Sequence, residues 1–102
     1  MKTTQLLKVL SSDVKLKLII HLYSCKLHEC DVSTFVSLLN EKQANISKHL
    51  SDLKRLKIVN TIRQDKHIFY YIEPSFKDQY QPLLDALIKI QHLEKYECEC
   101  AL

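Results

Sequence analysis

The sequence predicts a mainly α fold that carries one two-stranded β-hairpin, and three observations predict it. Apolar residues recur at helical spacing in four successive stretches up to Leu56. From Ile58 the pattern changes to β-branched and aromatic runs separated by a short polar turn. Beyond Pro82 the helical spacing returns. A chain of 102 residues fits one domain around one modest core.

Residues 4–10 read as the first helix, with Leu6, Leu7 and Leu10 apolar, followed by the capping residues Ser11, Ser12 and Asp13. The second helix runs to about Tyr23 and holds Val14, Leu16, Leu18, Ile19, Ile20 and Leu22. Residues 24–30 form a polar connection containing Cys25, His28 and Cys30. Asp31 caps a third helix, in which Val32, Phe35, Val36 and Leu39 fall at i, i+3, i+4 and i+7. Asn40 stands where a left-handed residue ends a helix. The fourth helix begins near Glu41, with Ile46, Leu50, Leu53 and Leu56 as its inner stripe. Residues 58–63 and 67–72 are two strands joined by Gln64, Asp65 and Lys66. Glu73-Pro74-Ser75 breaks the second strand, and Pro82 suits the first turn of a last helix with Leu83, Leu84, Leu87, Ile88 and Ile90. The order α-α-α-α-β-β-α is that of a winged helix-turn-helix. Residues 1–97 are read as one DNA-binding and dimerisation domain, and residues 98–102 as a short cysteine-containing C-terminal tail.

Composition narrows the class. The apolar runs break far short of the roughly 20 residues that a membrane span needs. The N-terminus leads into no signal-peptide core, so a cytoplasmic location is expected, with its thiols reduced. The four cysteines, Cys25, Cys30, Cys98 and Cys100, are then read as free, metal-binding or redox-active rather than a permanent framework. No glycine occurs, which removes every glycine-rich phosphate loop and forces left-handed turns onto other residues. No Ser/His/Asp set or pair of carboxylates suggests catalysis, so neither an enzyme nor a small organic substrate is expected.

Charge is uneven. Residues 42–72 carry seven Lys/Arg against two Asp, whereas residues 73–102 carry three Lys against six acids. A localised basic block is the electrostatic footprint of a nucleic-acid face. Within it, the outer face of the fourth helix carries Lys42, Gln43, Asn45, Ser47, Lys48 and His49. A helix lying in the major groove needs that mixture, short polar groups for base edges and cations for phosphates. Arg63 and Lys66 flank the hairpin tip, where a wing reaches the backbone. A generic solvated helix face, in a small interaction domain that binds no DNA, fits the same residues less completely.

On His28-Glu29-Cys30-Asp31, Gln43-Ala44-Asn45-Ile46-Ser47-Lys48-His49-Leu50 and Arg63-Gln64-Asp65-Lys66, the chain resembles the ArsR/SmtB family of metal-responsive winged-helix repressors. The resemblance covers roughly residues 6–73. It implies a homodimer joined by the first and last helices, bound to a near-palindromic double-stranded DNA operator and released by an effector. The family usually has glycine where Lys57 and Asp65 stand, so the turn at Lys57 is expected to be strained.

The resemblance also locates an effector site. Members sensing arsenic and cadmium carry Cys-x-Cys-Asp before the third helix; here Cys30 and Asp31 match, while His28 and Ser33 stand at cysteine positions. Cys25, and the pair Cys98-x-Cys100, resemble the sulfurs of some arsenic-responsive relatives. Thiolates select a thiophilic ion such as As(III), Cd(II) or Zn(II). His28 and His92 are weaker ligand candidates, and the other members' zinc site on the last helix is poorly matched at Asp85. His21 and His67 read as structural or surface residues. Cys25 fits a small buried hydrophobe equally well. A second signal is open too: a persulfide or oxidant could join Cys25 to Cys98 or Cys100.

Overall fold

The structure is a computed structural model, and it describes residues 1–99. Five α-helices and one hairpin follow in the order α1 (Thr3–Leu10), α2 (Asp13–Ser24), α3 (Val32–Leu39), α4 (Gln43–Arg55), β1 (Val59–Gln64), β2 (His67–Ile72) and α5 (Pro74–Gln91). One turn of 3₁₀ helix, Glu94–Tyr96, follows, and the described chain runs on through Cys98 to Glu99. This is the winged helix-turn-helix order expected above.

Helix α2 is the axis of the core. Six consecutive residues, Leu18 to Tyr23, are buried, so the C-terminal half of this helix is enclosed on every side rather than on one stripe. Phe35 of α3, Ile46, Leu50 and Leu53 of α4, Ile58, Val59 and Leu84 of α5 are fully buried around it. Local chemistry sets the helix starts. The Ser12 hydroxyl accepts from the Lys15 N–H at the start of α2. At α3 the Asp31 carboxylate accepts from the Thr34 N–H at 3.0 Å, the Thr34 hydroxyl at 3.0 Å and the Ser33 hydroxyl at 2.7 Å. Burial alone would raise the Asp31 carboxyl, but these bonds outweigh it and hold the group below its ordinary value.

Five residues take left-handed backbone: His28, Asn40, Lys57, Asp65 and His92, with φ between 52° and 62°. Asn, Asp and His visit this region more readily than other side chains. Lys57 is the exception, as expected. It is held by a Schellman closure of α4: Lys57 N–H donates to the Lys54 carbonyl and Ile58 N–H to the Leu53 carbonyl, both at 3.0 Å. The buried side chains of Leu53 and Ile58 complete that motif.

The last helix departs from the sequence reading. It starts at Pro74, not Pro82, and Pro82 lies in its interior. Pro74 meets the same requirement for a first-turn residue without a needed N–H. Phe76 and Tyr80 extend the apolar stripe backwards from Leu84 and Ile88. The hydrogen bond that Pro82 cannot donate would have gone to Asp78. Both residues are exposed, so water can serve that carbonyl. Ile90, placed on the apolar face by the spacing, is 67% exposed.

The hairpin pairs Val59 with Ile72 through Gln64 with His67, leaving Asp65 and Lys66 as the loop. Beyond it, Tyr70 N–H donates to the Cys30 carbonyl at 2.8 Å, an isolated bridge that ties the α2–α3 connection to β2.

Candidate functional site

Functional side chains gather in two regions, the outer face of α4 with the hairpin tip, and a cluster of sulfurs beside His21. On α4, Lys42, Gln43 and Lys48 are exposed, while Asn45, Ser47 and His49 are half-buried. Asn45 donates to the Glu41 carboxylate at 2.9 Å. His49 is the inward member of the set. Its Nδ1 is sealed from solvent without a partner. Burial, then the nearby Lys15 ammonium, pushes its imidazole below the ordinary value. Lys15 also bonds Asp52 at 3.2 Å, fastening α2 to α4. Arg63 and Lys66 are exposed at the hairpin tip, with Arg63 Nε donating to the Asp65 carbonyl at 3.4 Å.

The second region assembles around Cys30, which is 3% exposed. Its Sγ lies 3.4 Å from Cys25 Sγ, 3.6 Å from Cys98 Sγ and 3.2 Å from His21 Nε2. The donor atoms of His21, Cys30 and Cys98 all fall within 4.8 Å of one another, a grouping able to hold a metal ion. Each comes from a different segment: the last turn of α2, the connection before α3 and the chain beyond the 3₁₀ turn. Cys98 is fixed through its backbone, whose N–H donates to the Ser24 hydroxyl at 2.7 Å.

Burial, reinforced by Cys25 and Cys98, pushes the Cys30 thiol far above its ordinary range. Burial likewise lowers the His21 imidazole, against an opposing bond to the Tyr96 carbonyl. The resting pair is therefore a neutral thiol beside a neutral imidazole. Because His21 Nδ1 lies 3.0 Å from the Tyr96 carbonyl, an acceptor, the ring proton belongs on Nδ1. Nε2 then presents its lone pair toward Cys30. An ion bound here would displace the thiol proton.

Sequence reasoning placed His21 among structural or surface residues; it is 4% exposed and in contact with Cys30. A signal for it existed. His21 is the one strongly polar side chain in a buried run, and it precedes Cys25 by one helical turn. Cys100 lies outside the described residues. His28 and His92 stand outside the cluster: the His28 ring packs 5.2 Å from the Tyr71 ring, and His92 ends α5. Asp85 accepts from the Tyr23 hydroxyl at 2.6 Å. A cleft of about 450 Å³ opens onto His21, Cys30 and Cys98, with Glu29, Glu97 and Glu99 along its walls. Among the described residues, no helix is long and apolar enough to cross a membrane.

No protein-family model and no curated protein matches the chain. Solved structures do. The transcriptional repressor BigR from Xylella fastidiosa is 32% identical, with 85% of this chain and 83% of that one covered at a TM-score of 0.70. Reduced HlyU from Vibrio cholerae N16961 shares the fold at 24% identity, 85% of each chain and a TM-score of 0.71. CmtR, a cadmium metal-sensor from Mycobacterium tuberculosis, does so at 18% identity, 86% of this chain, 85% of that one and a TM-score of 0.64. Such proteins are transcription regulators and not enzymes. The fold, the BigR match and the motif residues lead to one conclusion: the chain belongs to the ArsR/SmtB family of winged helix-turn-helix transcriptional repressors.

Proposed function

We propose that this protein is a cytoplasmic, homodimeric repressor that leaves its operator when a thiophilic ion binds its cysteines. The observation that carries the reading is the position of Cys30. Its side chain is the hub of the donor cluster, its carbonyl is bonded to β2, and the next residue caps α3. A change in the Cys30 environment therefore bears on both the hairpin and the helix that buttresses α4. CmtR, which has the same fold, is a cadmium sensor by name, and this supports an ion as the signal.

In the DNA-bound form, Gln43, Asn45 and Ser47 read base edges, Lys42 and Lys48 hold phosphates, and Arg63 and Lys66 anchor the wing. His49 contributes through Nε2, since its Nδ1 faces inward. Leu7 on α1 and Ile90 on α5, 55% and 67% exposed, supply apolar surface to a partner subunit. The ion, As(III), Cd(II) or Zn(II), is held by Cys25, Cys30 and Cys98, with Cys100 available from the following tail. A reducing cytoplasm keeps these thiols competent.

A second reading rests on the same contacts. Sulfurs 3.4 Å and 3.6 Å from Cys30 can each be oxidised with it to a disulfide, two thiols giving up two protons and two electrons to a peroxide or persulfide. One experiment separates the two. Duplexes selected from a random pool supply the operator, and the reduced protein on it is titrated with As(III), Cd(II), Zn(II), persulfide and peroxide in parallel. Release by an ion with thiols unmodified is the expected result. Release only on disulfide formation supports the second reading, and failure to select any duplex overturns both.

A further inference from the structure

The start of α4 carries a bond that bears on which bases the helix selects, and the inference rests on the operator-reading proposal above. We infer that Asn45, oriented by Glu41, requires at one position of each operator half-site a base with an exocyclic amino group in the major groove, adenine or cytosine, and rejects guanine there.

The first support is the fixed amide. Asn45 is the third residue of α4, in the stretch that reaches base edges in a helix-turn-helix. Its Nδ2 donates to Glu41 Oε2 at 2.9 Å, and both side chains are half-buried. A free amide can turn either its oxygen or its NH2 group toward a base. A carboxylate offers acceptors only, so this amide holds its NH2 on the Glu41 side and its oxygen on the other. Flipping it would set two oxygens at the distance of the present bond. Gln43 is the contrast. It is exposed, and among the described residues its amide makes no hydrogen bond, so it adapts to donors and acceptors alike.

The second support is the code of the groove. Adenine N6 and cytosine N4 are donors, whereas guanine shows N7 and O6 and thymine O4, all acceptors. The Asn45 oxygen can accept from either amino group. Set against guanine, the same oxygen meets two acceptors, with the Glu41 charge behind it. Unsatisfied and repelling groups of this kind discriminate more strongly than a missing attraction.

Charge is the third. Glu41 forms no ion pair among the described residues, and the first turn of α4 holds no acid of its own. A carboxylate beside a groove-reading helix repels phosphates and weakens binding to every duplex. That loss is offset only if Glu41 improves the choice among duplexes, as a positioning residue for Asn45 does.

The test uses the reduced full-length chain on the operator selected from a random pool. Each adenine is replaced in turn by purine deoxyriboside, which lacks the N6 amino group, and each cytosine by pyrimidin-2-one deoxyriboside, which lacks the N4 amino group. At one position per half-site the replacement should weaken the wild type by roughly 5-fold or more and Asn45→Ala not at all. The analogue that does so identifies the base as adenine or cytosine. Glu41→Ala frees the amide to turn and should admit guanine at that position. Glu41→Gln keeps an oxygen for Nδ2 and should retain most of the preference. Both variants should bind random duplex more tightly, because both lose the negative charge. If no position is coupled to Asn45 in this way, the inference is overturned. It is overturned equally if Glu41→Ala keeps the wild-type preference, or if Glu41→Gln relaxes as far as Glu41→Ala does. Each of these results leaves the repressor reading standing, whereas failure to select any duplex removes both.

Discussion

The outer face of α4 occupies a run of seven residues, 43–49, on one helix, whereas the sulfur–imidazole cluster draws on residues 21, 30 and 98 from three separate segments. The first needs only that a helix form and bury its Ile46–Leu50–Leu53 stripe. The second exists only when α2, the connection before α3 and the chain beyond α5 are packed together. A surface of the first kind survives small shifts of its neighbours. A site of the second kind reports such shifts, because its spacing is set by the fold. That difference suits a reader coupled to a sensor, and it can be broken or sharpened by substitution.

The largest effect is expected at the hub. Cys30→Ser should lower ion affinity by roughly 100-fold or more, measured by competition with a chromophoric chelator, while operator affinity without ion stays unchanged. A parallel loss of operator binding would mean that the two regions are not separable. Next comes Gln43→Ala, expected to cost about 1–3 kcal/mol on the operator in a binding titration, far less on random duplex, and nothing in ion affinity. Lys66→Ala should weaken both duplexes alike and reduce the salt slope by about 1.

A smaller effect is expected where the regions meet. Asp31→Ala should lower stability by about 0.5–2 kcal/mol in urea unfolding, because α3 loses its cap. The pH dependence follows from the lowered carboxyls of Asp31 and of Asp52, the latter held down by the Lys15 ammonium beside it. A carboxyl lowered by folding stabilises fully above its unfolded value, near pH 4, and that contribution fades as pH falls through the folded value. Asp31→Asn and Asp52→Asn should each flatten the loss of stability below about pH 4. The smallest effect is expected at Lys57→Gly, which relieves left-handed backbone at a Schellman position. It should add about 1 kcal/mol and raise the melting temperature by a few degrees in a calorimetric scan.

The same contrast explains what could be read before the fold was known. Gln43 to Leu50 announce their helix by local period, Asn40 announces its turn as a helix-ending residue, and Lys57 and Asp65 announce theirs by the family positions they fill. The sequence puts the first turn of α5 at Pro82 because Pro74 and Pro82 satisfy the same local rule, and only the packing of Phe76 and Tyr80 decides between them. His21 escaped because its two partners, Cys30 and Tyr96, lie 9 and 75 residues away. No local period encodes a contact of that length.

His21, Cys30 and Cys98 bring their donor atoms within 4.8 Å of one another through the folding of one chain. On the proposed ion-responsive reading, each chain of a pair would then carry such a donor group of its own, and loading one would not require the other. Partly filled pairs would be stable species, and the response to rising dose would be graded unless the duplex itself linked the two halves.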